Sequence, residues 1–193
     1  MRVPRPTRAQ LGAGALVLAA LSVGRVVTEL LPEGPSPVRA FERTTTVDQS
    51  VALRYGDVRV TSVDGGRQLA TTTSAMLSPG LWVTAQVDFT PRVDKSGLAY
   101  AELRDGEGRV VTGGPRNVLE CDVVNPGIPG HCLVAFEVDP AGLVGARLAL
   151  TSNANDQRGD DMAVVDLGIT DAQVAQWKAR TTPVELLMPK GTS

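Results

Sequence analysis

The chain is poor in the residues that most often carry chemistry. It has one histidine, two cysteines and 4% aromatic residues in 193 positions, and neither charge sign dominates, with 19 basic against 21 acidic side chains. One His and two Cys exclude most zinc sites, whose ligands come largely from those types. A net charge of −2 with 21% charged residues excludes both a basic nucleic-acid binder and a charge-rich disordered chain. Scattered basic residues and few aromatics leave no stacking platform for a single strand of nucleic acid. No GxxxxGK phosphate cradle and no GxSxG elbow occurs. What is there is a length suited to one ordinary domain plus tails, large enough to bury a core without several disulfides.

The N-terminus differs from the rest. Arg2, Arg5 and Arg8 precede the run Leu11–Val23, 13 residues of Leu, Ala, Val, Gly and Ser only, and no acid appears before Glu29. A basic start followed by an apolar run is the pattern of an export signal. The run is short for a bilayer span of ~20 residues, yet a helix over 9–31 has its first following Pro at Pro32 and Arg25 placed to snorkel. Two readings stay open: a retained signal anchor over 1–31, and a signal cleaved after Ser22 or Gly24. Either places the N-terminus inside and the rest outside. Residues 32–40, PEGPSPVRA, hold three prolines and predict an extended stalk.

From Phe41 to about residue 170 the texture becomes short β-type runs between turn signals. VALRYG and DVRVTSV lead to an expected turn at Asp64-Gly65-Gly66, and RQLATTTSAML to one at Ser78-Pro79-Gly80. In LWVTAQVDF, alternation predicts Leu81, Val83, Ala85, Val87 and Phe89 on a buried face and Trp82, Thr84, Gln86 and Asp88 on a wet one. LAYAELRD, GEG and RVVTGG read as a hairpin. HCLVAFEV places Cys132, Val134, Phe136 and Val138 together, and ARLALTS and MAVVDLGI complete about nine strands. Evenly spaced short strands favour an antiparallel sandwich. Thr170 with Gln173 forms a capping-box pattern ahead of one short helix, DAQVAQWKAR, in the final segment 171–193, with Val174 and Trp177 on one face. The tail holds an apolar patch at Leu186, Leu187 and Met188, expected to dock or trail rather than to recruit a partner.

Cys121 and Cys132 flank ten residues rich in Gly and Pro, and in an exported chain they predict one disulfide. Facing positions on adjacent strands, ~4.7–4.9 Å apart, lie within the separation of about 4.4–6.8 Å that a disulfide asks of its Cα atoms. His131, beside Cys132 on the opposite strand face, is the sole candidate for a histidine base, and no nucleophile motif accompanies it. In 152–161, SNANDQRGDD, the side chains of Asn153, Asn155, Asp156, Asp160 and Asp161 carry oxygens suited to calcium, but Arg158 stands where the sharp-turn glycine of an EF-hand belongs and no Glu closes the loop. A solvated hairpin loop is the expectation there. Arg158-Gly159-Asp160 matches an adhesion tripeptide by chance. No catalytic residue, metal ligand or cofactor is assigned.

The stretch from Ala101 to Ile169 resembles a family of exported actinobacterial domains of unknown function with a telokin-like, immunoglobulin-type sandwich. The residues that carry the resemblance are Pro129-Gly130, Phe136-Glu137-Val138 and Pro140, with Asp139 inserted; the family's upstream turn is replaced by Asp94-Lys95-Ser96-Gly97. The resemblance implies a mainly β, immunoglobulin-like antiparallel sandwich and no accepted catalytic residues. The expectation is a non-enzymatic extracytoplasmic binding or scaffolding module of the bacterial envelope. It would hold the membrane through its N-terminal helix, meet a protein partner and bind no nucleic acid. The alternative is an envelope enzyme or enzyme subunit with an unrecognised site.

Overall fold

The computed structural model describes residues 22, 25, 39–70 and 75–186. The chain divides into Met1–Pro37 and Val38–Ser193. The expected anchor over 1–31 lies outside the described residues except for Ser22 and Arg25, both helical, and so does the stalk except for Arg39 and Ala40. Among the described residues no helix is long and apolar enough to cross a membrane.

Alternating side chains sort the strands of the second unit into two layers. The elements run β1 (Phe41–Thr46), β2 (Val51–Leu53), β3 (Gly56–Ala70), β4 (Ala75–Pro91), β5 (Tyr100–Arg104), β6 (Val110–Val111), β7 (Val118–Cys121), β8 (Gly130–Val138), β9 (Arg147–Thr151), β10 (Asp161–Asp166), helix α1 (Asp171–Ala179) and β11 (Val184–Glu185). The first sheet has the order β1-β10-β9-β5-β6; the second has β11-β3-β4-β8-β7, with β2 paired to β3. The second unit is thus mainly β among its described residues, with antiparallel-rich sheets and one short α-helix near its C-terminal end. Two pairs depart from the antiparallel expectation: β1 runs parallel to β10, and β11 parallel to β3.

The core lies between the sheets. Leu81, Val83, Ala85, Val87 and Phe89 of β4 and Cys132, Val134, Phe136 and Val138 of β8 meet Leu103, Leu148, Leu150, Ala163 and Val165 of the first sheet. Each Val, Leu or Phe among them contributes about 1.5–3 kcal/mol on burial. Helix α1 closes the layer with Val174 and Trp177, and its capping box is formed by Thr170 and Gln173 as the sequence pattern requires. The 105–109 turn of the β5–β6 hairpin is also as expected, with Asp105 Oδ1 accepting from the backbone of Glu107 at 3.0 Å and of Arg109 at 2.8 Å.

Two expected turns are not turns. Asp64-Gly65-Gly66 lies inside β3, paired with Thr84, Val83 and Trp82 of β4. Its glycines make room rather than reverse the chain: a Cβ on Gly65 would sit 2.5 Å from the Trp177 ring, and one on Gly66 2.9 Å from Val184 Cγ2. Helix and β11 therefore pack closely on a strand whose side chains have been removed. Ser78-Pro79-Gly80 lies inside β4, where the register jumps from Trp82↔Gly66 to Leu77↔Gln68. Gly80 N donates to Ser78 Oγ at 2.9 Å, so the signal marks a local bulge. The reversal falls between Ala70 and Ala75, outside the described residues.

The wet face expected of β4 is wet only in part. Trp82 is 0% exposed and joins Leu69, Leu133, Ala135, Val184 and Leu186 in a second apolar cluster on the outside of the second sheet. Leu186 docks there, its N–H donating to Ala70 O at 3.0 Å; Leu187 and Met188 lie outside the described residues.

Candidate functional site

The chain joins the sandwich at one end, here the proximal end, where Phe41 N donates to Asp160 O and Gly159 N to Arg39 O. Four connections meet there: the β2–β3 turn and the β4–β5, β7–β8 and β9–β10 loops. Tyr55 ties the two sheets together. Its hydroxyl lies 3.0 Å from Thr151 Oγ1 and 3.1 Å from the Asp161 carbonyl, accepts from Ser152 N at 3.2 Å, and its ring packs obliquely on Phe89. Burial pushes the Tyr55 phenol upward from its ordinary pKa.

Beside Tyr55 an open groove of about 610 Å³ is lined by Phe41, Arg43, Ala52, Arg54, Arg92 and Asp161, among others. Its charges are already matched. Arg43 Nε and Arg54 N both donate to Asp161 Oδ2, at 3.0 and 2.8 Å. Arg54 Nη2 meets Asp160 at 2.7 Å, and Arg92 holds Asp57 through two bonds of 2.6 and 3.1 Å. The calcium candidates therefore do not converge. Asp160 and Asp161 face arginines, while Asn153 Oδ1 accepts from the backbone of Asn155 and Asp156, both at 3.1 Å. Asp156 pairs with Arg158, whose guanidinium holds the carboxyl down at about 2. Among the described residues no group of three His, Cys, Asp or Glu side chains is placed to hold a metal.

The sulfurs of Cys121 and Cys132 lie at disulfide distance. The two residues are direct partners across β7 and β8, and the next pair is bonded through Asp122 N to His131 O at 2.9 Å. They occupy a non-hydrogen-bonded position, where antiparallel strands approach most closely. Their Cα atoms are 4.0 Å apart, closer than the ~4.7–4.9 Å expected of facing strands. Cys132 faces the core and His131 the outside, where His131 Nδ1 lies 2.9 Å from Asp88 Oδ1 and the His131 N–H donates to Asp122 Oδ2 at 3.1 Å.

A second concavity opens at the side of the sandwich, a cleft of about 380 Å³ lined by Tyr100, Ala101, Asn117, Val118, Leu119 and Phe136, among others. It exists because β6 covers β5 only at Leu103 and Arg104, while β7 pairs with β8 alone. The walls are apolar and the rim is polar. Asn117 there bonds the Thr112 carbonyl at 2.5 Å and the Glu137 N–H at 3.2 Å. Neither this cleft nor the grouping of Arg43, Arg54, Arg92 and Tyr55 is marked by a motif in the sequence. Tyr55, read in the sequence as part of the β-type run VALRYG, sits in the turn between β2 and β3.

No family model matches the chain, and no curated protein matches it. Among solved structures it is similar to the yjhA protein from Bacillus subtilis, at 12% identity and a TM-score of 0.46, covering 63% of this chain and 98% of that one. It is also similar to an uncharacterized β-sandwich protein from Clostridium difficile, at 8% identity and a TM-score of 0.43, covering 69% of this chain and 99% of that one.

Proposed function

We propose that the chain is a non-enzymatic extracytoplasmic binding or scaffolding module of the bacterial cell envelope. Residues 1–31 hold it at the membrane, residues 32–40 act as a stalk, and the sandwich is of the exported, immunoglobulin-like type to which its Phe136-Glu137-Val138 segment is similar. The observation that carries the reading is the side cleft. It offers apolar walls, a polar rim and two strand edges, the features of a recognition site rather than of a reacting centre. At the proximal groove the carboxylates are matched to arginines, which suits a preorganised surface better than proton transfer.

The enzyme reading draws on one observation, the His131–Asp88 pair at 2.9 Å. A photo-crosslinking residue at Val118, on the cleft, and another at Val144, at the far end, test the proposal in intact envelopes. A discrete adduct from position 118 and none from 144 is expected. Equal adducts at both positions, or hydrolytic activity abolished by His131→Ala, would overturn the binding reading.

A further inference from the structure

We propose that the β4–β5 and β7–β8 loops of the proximal end rest on the lipid bilayer itself, with Val93, Val123 and Ile128 in the boundary between headgroups and acyl chains. The inference rests on the membrane-tethered reading above.

Position is the first argument. Described sandwich residues begin at Arg39 on the proximal end, and the nine residues 32–40 can reach at most ~32 Å at ~3.6 Å per residue. The loops that hang from Pro91 and Gly130 leave the sandwich at this same end, since Gly56 pairs with Pro91, Phe89 with Gly130, and Arg54 and Arg92 line one groove with Phe41. A tethered domain therefore holds these loops near the surface.

Composition is the second. The exposed large apolar side chains among the described residues are Phe41, Leu77, Val93, Val110, Val123, Ile128 and Val144. Three of the seven stand on these two adjoining loops, at 66%, 61% and 53% exposure for Val93, Val123 and Ile128. Pro126 and Pro129, on the same loop as Val123 and Ile128, are exposed as well.

Rigidity is the third. Ser96 and Val124 exchange two backbone bonds of 3.1 Å, Gly127 N donates to Pro91 O at 2.8 Å, and the Cys121–Cys132 pair closes the base of the longer loop. Gly127 makes this possible with φ at +78°, which only glycine adopts readily. Loops braced in this way cannot fold back to bury their own apolar tips.

Charge decides which surface fits. Arg92 is paired with Asp57, which leaves Lys95 against Asp94 and Asp122, one negative charge in excess. Attraction to anionic lipid is not the driving term, so contact comes from apolar insertion and is indifferent to salt.

The test uses the full chain in phosphatidylcholine vesicles whose acyl chains are brominated, a quencher of tryptophan emission. The native Trp82 and Trp177 are 0% and 5% exposed, which keeps their response small. Val123→Trp and Ile128→Trp are expected to lose at least half of the added emission relative to unbrominated vesicles, equally at low and high salt. Val144→Trp, at the far end beside Gly106, is expected to lose none. If the chain floats with the vesicles and positions 123 and 128 are not quenched, or are quenched no more than 144, the docking is overturned while the anchor stands. If the chain does not float with the vesicles, the anchor reading falls and the docking with it.

Discussion

The outer faces of the two sheets solve the same problem in opposite ways. The second sheet hides its outside under apolar material: Trp82 is covered by Leu69, Met76, Val184 and Leu186. Its Nε1 donates to Met76 O at 3.1 Å, and Arg116 lies over the ring at 5.2 Å. The first sheet keeps a smaller apolar strip of Ala149, Met162 and Val164 and closes it with charge. There Arg104 bridges Glu102 and Glu42, both at 2.6 Å, and the Tyr100 hydroxyl donates to Glu102 at 2.6 Å. The difference follows from chain supply. The ends of β3 and β4 and β11 cover the second sheet, whereas among the described residues the first is covered by Ala40 and by long side chains such as Tyr100 and Arg104. An apolar cover acts through area and is blind to salt; a half-exposed ionic cover acts through charge and is screened.

The largest way to break that contrast is Trp82→Ala. It empties the second cluster and removes the indole bond to the Met76 carbonyl, with an expected loss of about 3–5 kcal/mol in urea unfolding of the full chain, unchanged by 1 M salt. A loss under ~1 kcal/mol would show that the cluster is not a true core.

The disulfide belongs to neither outer face and sets a scale between them. Cys121→Ala with Cys132→Ala should cost about 2–3 kcal/mol and leave the fold intact, because the closed loop is short and the inter-sheet core remains. Loss of all cooperative unfolding in that double variant would contradict the placement of the main core.

On the ionic face, Glu102→Gln removes the charge shared by Arg104 and Tyr100. The expected cost is about 1–2 kcal/mol, shrinking in 1 M salt, where the Trp82→Ala cost does not. Equal salt responses in the two variants would erase the distinction between the faces.

The smallest effect is alkaline. Burial, then the bond to Glu102, push the Tyr100 phenol up to about 12. A phenol that ionises at ~10 when unfolded then loses its proton first in the unfolded chain, so the stability it confers is full below pH ~10 and falls as pH rises toward 12. Tyr100→Phe should therefore flatten the drop in urea midpoint between pH 9 and pH 11.5, with Tyr55 accounting for part of what is left. An unchanged slope would remove Tyr100 as its source.

Much of the inter-sheet core was legible because period-two alternation is local. The inward rows of β4 and β8 and the Thr170–Gln173 cap stand where the spacing puts them. Trp82 was not legible, because its burial depends on Leu69 and Val184, far away in the chain, folding over an apparently solvent-facing row. Gly65 and Gly66 carried the right signal with the wrong sense: glycine marks a turn or a close approach, and only the positions of Trp177 and Val184 tell which. The proximal groove draws Arg43, Arg54, Arg92 and Asp161 from separate segments, and no spacing rule joins them. The side cleft is a gap in strand coverage and so has no motif of its own.

The central claim is that a braced sandwich is held at the outer face of a membrane, and fusing alkaline phosphatase after Ser193 tests it most directly. The account predicts active phosphatase that sediments with membranes. An inactive fusion whose cytoplasmic-reporter counterpart is active would contradict it.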